Sequence, residues 1–196
     1  DSNYTSPEQI ALWPVAAFNA AEGTTVEKDK LFLVGDSSGD KFGQIENSGG
    51  KTWDSGTANE YTAVNRFKFN GGSAPVDNLP SYRYLFFPVT GAVDVKIWFR
   101  SGSGSDTERI LYISDGTTLL NSHQAVGTGD PQTLTASYAG NGGNIYVYDS
   151  NSFNLYKIEV TGPGASDLVL GIDDFKSAVS TNIKAIGDRI YVSNVK

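Results

Sequence analysis

One feature constrains this chain more than any other: short segments of alternating hydrophobicity recur between turn residues, and almost nothing of helical period separates them. KDKLFLVG, GKTWDSG, YTAVNRFKFNGG, SYRYLFFPV, AVDVKIWFRSG, RILYISDG, QTLTASYAG, NIYVYDS and NLYKIEVTG follow one another in this way. The helix-start pattern Ser6-Pro7-Glu8 in SPEQIALWPVAAF is cut by Pro14 to about one turn, so we read it as a short turn or edge segment. Many short strands without helices between them predict an all-β chain, a sandwich or a barrel. Composition agrees, with 22 glycines for turns and 10 Tyr, 10 Phe and 3 Trp for pleated surfaces. Asp115-Gly116 and Asn141-Gly142-Gly143 supply the positive-φ positions of tight hairpins, whereas Asn70-Gly71-Gly72 and SGSGSD at 101–106 suit longer surface loops.

The 196 residues suffice for one domain with a sizeable core. Composition shifts at Thr161-Gly162-Pro163-Gly164-Ala165-Ser166, which reads as a linker. A sandwich over 1–162 and a tail over 163–196 follow, the tail too poor in apolar residues for a core of its own. Its RIYVSNV run is free to pair with an exposed strand edge.

Several function classes fall away on composition. Fifteen Lys+Arg against 22 Asp+Glu leave −7, the wrong sign for tracking a nucleic-acid backbone. Zero Cys and one His, His123, remove thiolate chemistry and multi-histidine metal centres. No run approaches the roughly 18 apolar residues of a membrane helix, and DSNYTSPEQ lacks the basic and apolar regions of a signal peptide. The GSGS and GNGG segments lack the Lys-Ser/Thr and the helix start of a phosphate loop. His123 in LLNSHQAVG reads as a surface loop residue without a serine or metal-motif partner, and no catalytic residue is expected. Asn3-Tyr4-Thr5 is a glycan acceptor only in a eukaryotic secretory host.

Period-two alternation sorts the strands into faces. In AVDVKIWFR, Val93, Val95, Ile97 and Phe99 form the core face, leaving Asp94, Lys96, Trp98 and Arg100 on the other. An indole between a lysine and an arginine is a stacking platform for the apolar side of a pyranose, with charged partners for its hydroxyls. The alternative is that Trp98 lies under a loop or a second layer. Arg66 and Lys68 in YTAVNRFKF and Arg83 in SYRYLFF extend the basic theme. With Lys96 and Arg100 they would form a patch suited to an anionic glycan, unless they are spent on ion pairs with Asp94, Asp106, Glu108 and Glu159. Trp53, after the glycine-rich NSGGKT, is placed at a loop tip, while Trp13 packs the start of the chain. Asp36, Asp40 and Asp54 are candidate oxygen ligands for a structural calcium, although GDSSGD lacks the ligand ladder of an EF-hand loop.

SYRYLFFPVTGAVDVKIWFRSGSGSDTERILYISDGTTLL, continued by YAGNGGNIYVYDSNSFNLYKIEV, resembles a β-sandwich module of secreted Bacteroidetes proteins, often attached to pectate-lyase-like and other polysaccharide-active domains. The resemblance spans roughly residues 60–160. Arg83, the SGSGSDTERIL segment ending in Arg109, and the closing NIYVYDSNSFNLYKIEV hairpin carry it. It implies a jelly-roll-like fold and a glycan-binding role, with no catalytic residues. NIKAIGDRIYVSNVK at the end is similar to the opening of a type IX secretion C-terminal sorting domain, which implies export to the cell surface or medium. Together these readings predict a secreted, monomeric, non-catalytic carbohydrate-binding module for plant or algal polysaccharide, with modest affinity at a shallow site. A structural or adhesion spacer, or a small polysaccharide lyase or hydrolase, are the alternatives.

Overall fold

In a computed structural model, residues 18–19, 25–28, 31–35, 43–127, 129–168, 180–186 and 189–195 are described. They form an antiparallel β-sandwich. The strands are β1 (Phe18–Asn19), β2 (Thr25–Lys28), β3 (Leu31–Val34), β4 (Gly43–Trp53), β5 (Tyr61–Phe69), β6 (Tyr84–Val89) and β7 (Val93–Ser101). They continue as β8 (Ile110–Ser114), β9 (Leu119–Gln124), β10 (Gln132–Tyr138), β11 (Gly143–Asp149) and β12 (Phe153–Thr161), followed by β13 (Ser180–Ile186) and β14 (Arg189–Val195). Sheet A runs β1-β4-β5-β12-β7-β10 and sheet B runs β2-β3-β6-β11-β8-β9. Among the described residues no helix is long and apolar enough to cross a membrane.

Alternation decides which face each strand buries. Val93, Val95, Ile97 and Phe99 of β7 join Phe67, Phe69, Phe153, Leu155 and Ile158 on the inner side of sheet A. Leu31, Leu33, Leu85, Phe87, Leu111, Ile113, Ile145 and Val147 answer them from sheet B. At about 25 cal/mol per Å² of apolar surface removed from water, this shared layer is the main favourable contribution to folding.

Chain order departs from the expected hairpins. Asp115-Gly116 does close a hairpin: the Asp115 carboxylate accepts from the Thr117 and Thr118 amides at 2.8 and 2.6 Å, and Gly116 takes φ +88°. Asn141-Gly142-Gly143 does not, because β10 lies in sheet A and β11 in sheet B, so the turn arches between layers. The NIYVYDSNSFNLYKIEV segment is likewise an arch, with β11 and β12 in different sheets. A turn sequence specifies backbone angles and leaves the partner strand open. LLNSHQ, expected as loop, is β9, paired antiparallel with β8. His123 on it is half-buried, its Nε2 2.7 Å from the Gln132 side-chain oxygen on β10 and its ring edge-on to Phe99.

The segment read as a linker at 161–166 is packed as far as Ala165. Pro163–Leu168 forms a short 3-10 turn, Ala165 is 2% exposed within the core, and Gly164 exchanges backbone hydrogen bonds with Thr90 and Ala92. Small residues permit this approach, and the same smallness makes them resemble linker. RIYVSNV pairs with STNIKAI as the two-stranded sheet β13-β14. Residues 1–17, with the expected turn, Trp13 and the Asn3 acceptor, lie outside the described residues, as do Asp36 and Asp40.

Loops 70–83, 102–109 and 150–152 are tied together at one end of the sandwich. The Ser152 carbonyl accepts from the Gly102 amide and the Arg109 guanidinium at 2.9 and 2.8 Å, and its hydroxyl accepts from the Gly71 amide at 2.8 Å. Beneath them Ser73 and Asp149 are fully buried; the Ser73 amide donates to the Asp149 carbonyl, and the Ser73 hydroxyl donates to the Arg83 carbonyl. Burial pushes the Asp149 carboxyl well above its ordinary value of 3.8, against the opposing pull of the Ser73 hydroxyl, the Phe153 amide and the charges of Arg109 and Arg83. A group held protonated in the fold contributes its stability below the unfolded-state value and loses it as pH rises through the folded value. Asp149→Asn therefore gains on the wild type from about pH 4 upward. Urea unfolding at a series of pH values should show the difference growing and then levelling; equal stability at every pH would refute it.

Candidate functional site

Trp98 occupies the outer face of sheet A, as alternation requires, yet it is only 5% exposed. Beyond an irregularity between Asn47 and Lys51, the distal part of the β4–β5 hairpin brings Trp53, Tyr61 and Ala63 against Trp98 and Tyr156. The Tyr61 ring stands edge-on to Trp98 at 5.9 Å, and its hydroxyl donates to the Tyr156 carbonyl at 3.1 Å. Trp53, expected at a loop tip, is 3% exposed; its indole N–H donates to the Gln132 carbonyl at 2.9 Å and its ring lies 4.9 Å from Tyr156. The tip itself is the turn after Trp53, where the Asp54 carbonyl accepts from the Thr57 amide and hydroxyl. Ammonium groups close the remaining side of the indole, Lys96 Nζ at 4.6 Å and Lys157 Nζ at 4.2 Å from the Trp98 ring. The open stacking platform is therefore corrected to a small second core, sealed by a hairpin and two cation–π contacts.

The basic patch assembles only in part: register sets Lys68 and Arg100 on either side of Asn154 in one row of the outer face of sheet A, with Arg66 two residues along β5, while Arg83 lies apart, before β6 of sheet B. Arg66 donates through Nε to Glu46 at 3.0 Å, across the β4–β5 pair. Lys68 lies beside Gln44 and Asn154 in the register of sheet A. Arg100 donates to the Gly129 carbonyl. Arg83 is in the loop before β6, at φ +53°, with its guanidinium 5.6 Å from the Tyr82 ring and against Gly71, where a Cβ would come within 2.1 Å of Nη1. Among the described residues, two of the expected acidic partners stand in separate pairs, Asp106 with Arg109 and Glu159 with Lys157. No group of three or more metal-ligating side chains gathers among the described residues.

The outer face of sheet B is different in kind. Alternation puts Phe32 and Val34 of β3, Tyr84, Phe86 and Pro88 of β6, Asn144, Tyr146 and Tyr148 of β11, and Ile110, Tyr112 and Ser114 of β8 on it. None of these carries a charge; Glu27, on edge strand β2 opposite Phe32, borders them. Register aligns Phe32, Phe86 and Tyr146 in one row across three strands and Tyr148 with Tyr112 in the next. Phe32 stacks on Phe86 at 4.8 Å, Phe86 meets Tyr146 at 5.7 Å, Tyr84 meets Tyr146 at 5.9 Å, and Tyr112 stacks on Tyr148 at 5.1 Å. Tyr148 is buried under the loop carrying Asn78, whose carbonyl accepts its hydroxyl at 2.9 Å, while Phe32, Tyr84, Phe86, Tyr112 and Tyr146 stay half-exposed. Val76 and Leu79 on that loop are 64% and 41% exposed and extend the apolar surface. The solvent side of an antiparallel sheet is ordinarily polar, so an uncharged ladder of rings across four strands is the outstanding surface of this protein. Sequence reasoning passed over it, although RYLFFPV, NIYVYDS and RILYIS each alternate an aromatic with a core aliphatic.

No protein-family model matches the chain, and no curated protein matches it. Among solved structures it is similar to the K1 cleaved adhesin domain of Lys-gingipain from Porphyromonas gingivalis. There the TM-score is 0.47 at 10% identity, over 76% of this chain and 99% of that one. A candidate sugar-binding protein from Bacteroides thetaiotaomicron follows with TM-score 0.43 at 9% identity, over 74% and 94%. Tandem CBM51 modules of a family 98 glycoside hydrolase from Streptococcus pneumoniae give 0.45 at 7% identity, over 80% of this chain and 50% of theirs.

Because Trp98 is core, Trp98→Ala should cost about 3–5 kcal/mol of stability. Trp98→Phe should cost less, since the buried indole N–H has no acceptor to lose. Thermal unfolding of the two variants checks this, and an unchanged midpoint for Trp98→Ala would return the ring to the surface.

Proposed function

We propose that this chain is a non-catalytic carbohydrate-binding β-sandwich of an exported protein, acting at the cell surface or in the medium, and that it holds polysaccharide against the aromatic ladder of sheet B. One observation carries the reading: Phe32, Tyr84, Phe86, Tyr146 and Tyr112 are half-exposed on a face whose four aromatic-bearing strands turn no charged side chain outward, with Glu27 on edge strand β2 at its border. Rings provide apolar area for the C–H side of pyranoses, and the three phenols offer hydroxyl partners at the edge of that area. Such a face suits a neutral plant or algal glycan better than a uronate, whose carboxylates would meet the acid of Glu27 at its border. Contact is shallow, so affinity is modest.

The test is retention in affinity electrophoresis on neutral polysaccharides, cellulose derivatives, xyloglucan, laminarin and galactomannan among them. Wild type should be retarded by at least one, and the double variant Phe86→Ser, Tyr146→Ser should lose most of that retardation. Circular dichroism confirms that the variant is folded. Enclosure of Trp53 and Trp98 favours a second reading, a structural or adhesion spacer. On that reading wild type migrates freely through every glycan.

A further inference from the structure

On the outer face of sheet A, beside the sealed Trp98, lies a groove of about 280 Å³. Eight residues line it; Val95 and Ala136 turn their side chains into the core, which leaves those of Asp94, Lys96, Thr135, Ser137, Glu159 and Thr161 on the groove side. Register arranges them as two rows across three strands. Thr135, Lys96 and Glu159 stand opposite one another in the first, and Ser137, Asp94 and Thr161 in the second. The next row along the strands is Thr133, Trp98 and Lys157, so the grid ends on the indole. Within it the Ser137 hydroxyl donates to Asp94, and Lys157 pairs with Glu159 at 3.1 Å.

We propose that this groove binds a single uncharged sugar ring through its hydroxyls, with Asp94 and Glu159 accepting, Lys96 donating, and Thr135, Ser137 and Thr161 completing the set. The proposal deepens the carbohydrate-binding reading at a separate face. Three properties of the groove select this ligand. Two carboxylates and the ammoniums of Lys96 and Lys157 balance in charge, which favours a neutral occupant over an anion or a metal ion. Every side chain directed into the groove carries a hydrogen-bonding group, and bonds from ionised groups to hydroxyls are the stronger kind. At about 280 Å³ the groove lies at the small end of the ligand-pocket range, a size that a single ring fills. The ladder of sheet B would then engage polymer and the groove a terminal or branching residue.

Lys96 gives the site a built-in reporter. Its ammonium lies 4.6 Å from the Trp98 ring, and a sugar hydroxyl that draws it into the groove changes the field at the indole. The experiment is titration of the full chain with D-glucose, D-galactose, D-mannose and L-fucose, followed by tryptophan fluorescence and by calorimetry. At least one sugar should give a saturable change, and Asp94→Asn and Glu159→Gln should each weaken its binding tenfold or more. Trp98→Phe should abolish the fluorescence change while calorimetric binding persists. No saturable binding of any of the four, or binding indifferent to both carboxylate variants, would overturn the proposal. The Phe86→Ser, Tyr146→Ser protein separates the two sites: it should keep the monosaccharide response, and loss of that response would show that the groove is not an independent site. Wild type that binds a monosaccharide but no polymer retains the groove and removes the ladder.

Discussion

Every strand of this sandwich has one face committed to a single apolar layer, and that commitment assigns the other face to some second task. Phe67, Phe69, Phe87, Phe99 and Phe153 fill the space between the sheets, so a slip of one residue in any register would carry these rings to the outside. The outward residues are thereby fixed in direction without being fixed in fate. On sheet A they are charged, with Trp98 among them roofed by a hairpin. On sheet B they are aromatic, and most stay half-exposed. The contrast between the two outer faces, rather than any single residue, is where function can be sought.

The three segments on which the family resemblance rests meet in space. Arg83 and Arg109 come from separate loops and Asp149 from the end of β11, yet the charges of both arginines act on the one buried carboxyl. Loop 70–83 is held by Ser73 and Gly71, loop 102–109 by the Ser152 carbonyl, and all three loops leave strands that cross between sheets. An arch between layers lacks the ladder hydrogen bonds that stabilise a hairpin, so its ends need another fastening. The buried serine and carboxyl, with glycines that let the two guanidiniums approach, supply it. That role explains why these residues stand out in the sequence without being exposed ligand contacts.

Faces were legible in the sequence wherever alternation was clean. The inward and outward sets of β7 match the structure residue for residue, and the strands from β5 to β8 and β10 to β12 fall where short aromatic and β-branched runs predict them. Alternation is silent on what lies above a face. The hairpin over Trp98 begins at an irregularity in β4, and nothing in NSGGKTW distinguishes a bend over the sheet from a loop into solvent. Strand β9 is mostly exposed on both sides, so LLNSHQ has no periodicity to detect. Arches and hairpins share turn chemistry, which is why Asn141-Gly142-Gly143 was assigned the wrong partner strand. The aromatic ladder was accessible by the same method that singled out Trp98. A tryptophan between two cations attracts notice, whereas Phe32, Phe86 and Tyr146 become a surface only when three strands are placed side by side.

That difference bears on how a sheet acquires a binding face. A lone indole on a charged face costs little to cover, because lysine stems and ammoniums pack on it favourably and a neighbouring tyrosine completes the seal. Six rings on adjacent strands of sheet B support one another, two pairs stacked and the rest tilted, and five of the six stay half-exposed. Such a surface is apolar enough to take up the C–H side of a sugar and polar enough at its rim to remain hydrated when empty. On the reading proposed above, sheet A meets the complementary need, because a charge-balanced grid can discriminate among hydroxyl patterns that stacking cannot tell apart. The ladder suits extent and the grid suits identity, and the fold keeps them on opposite faces of one core.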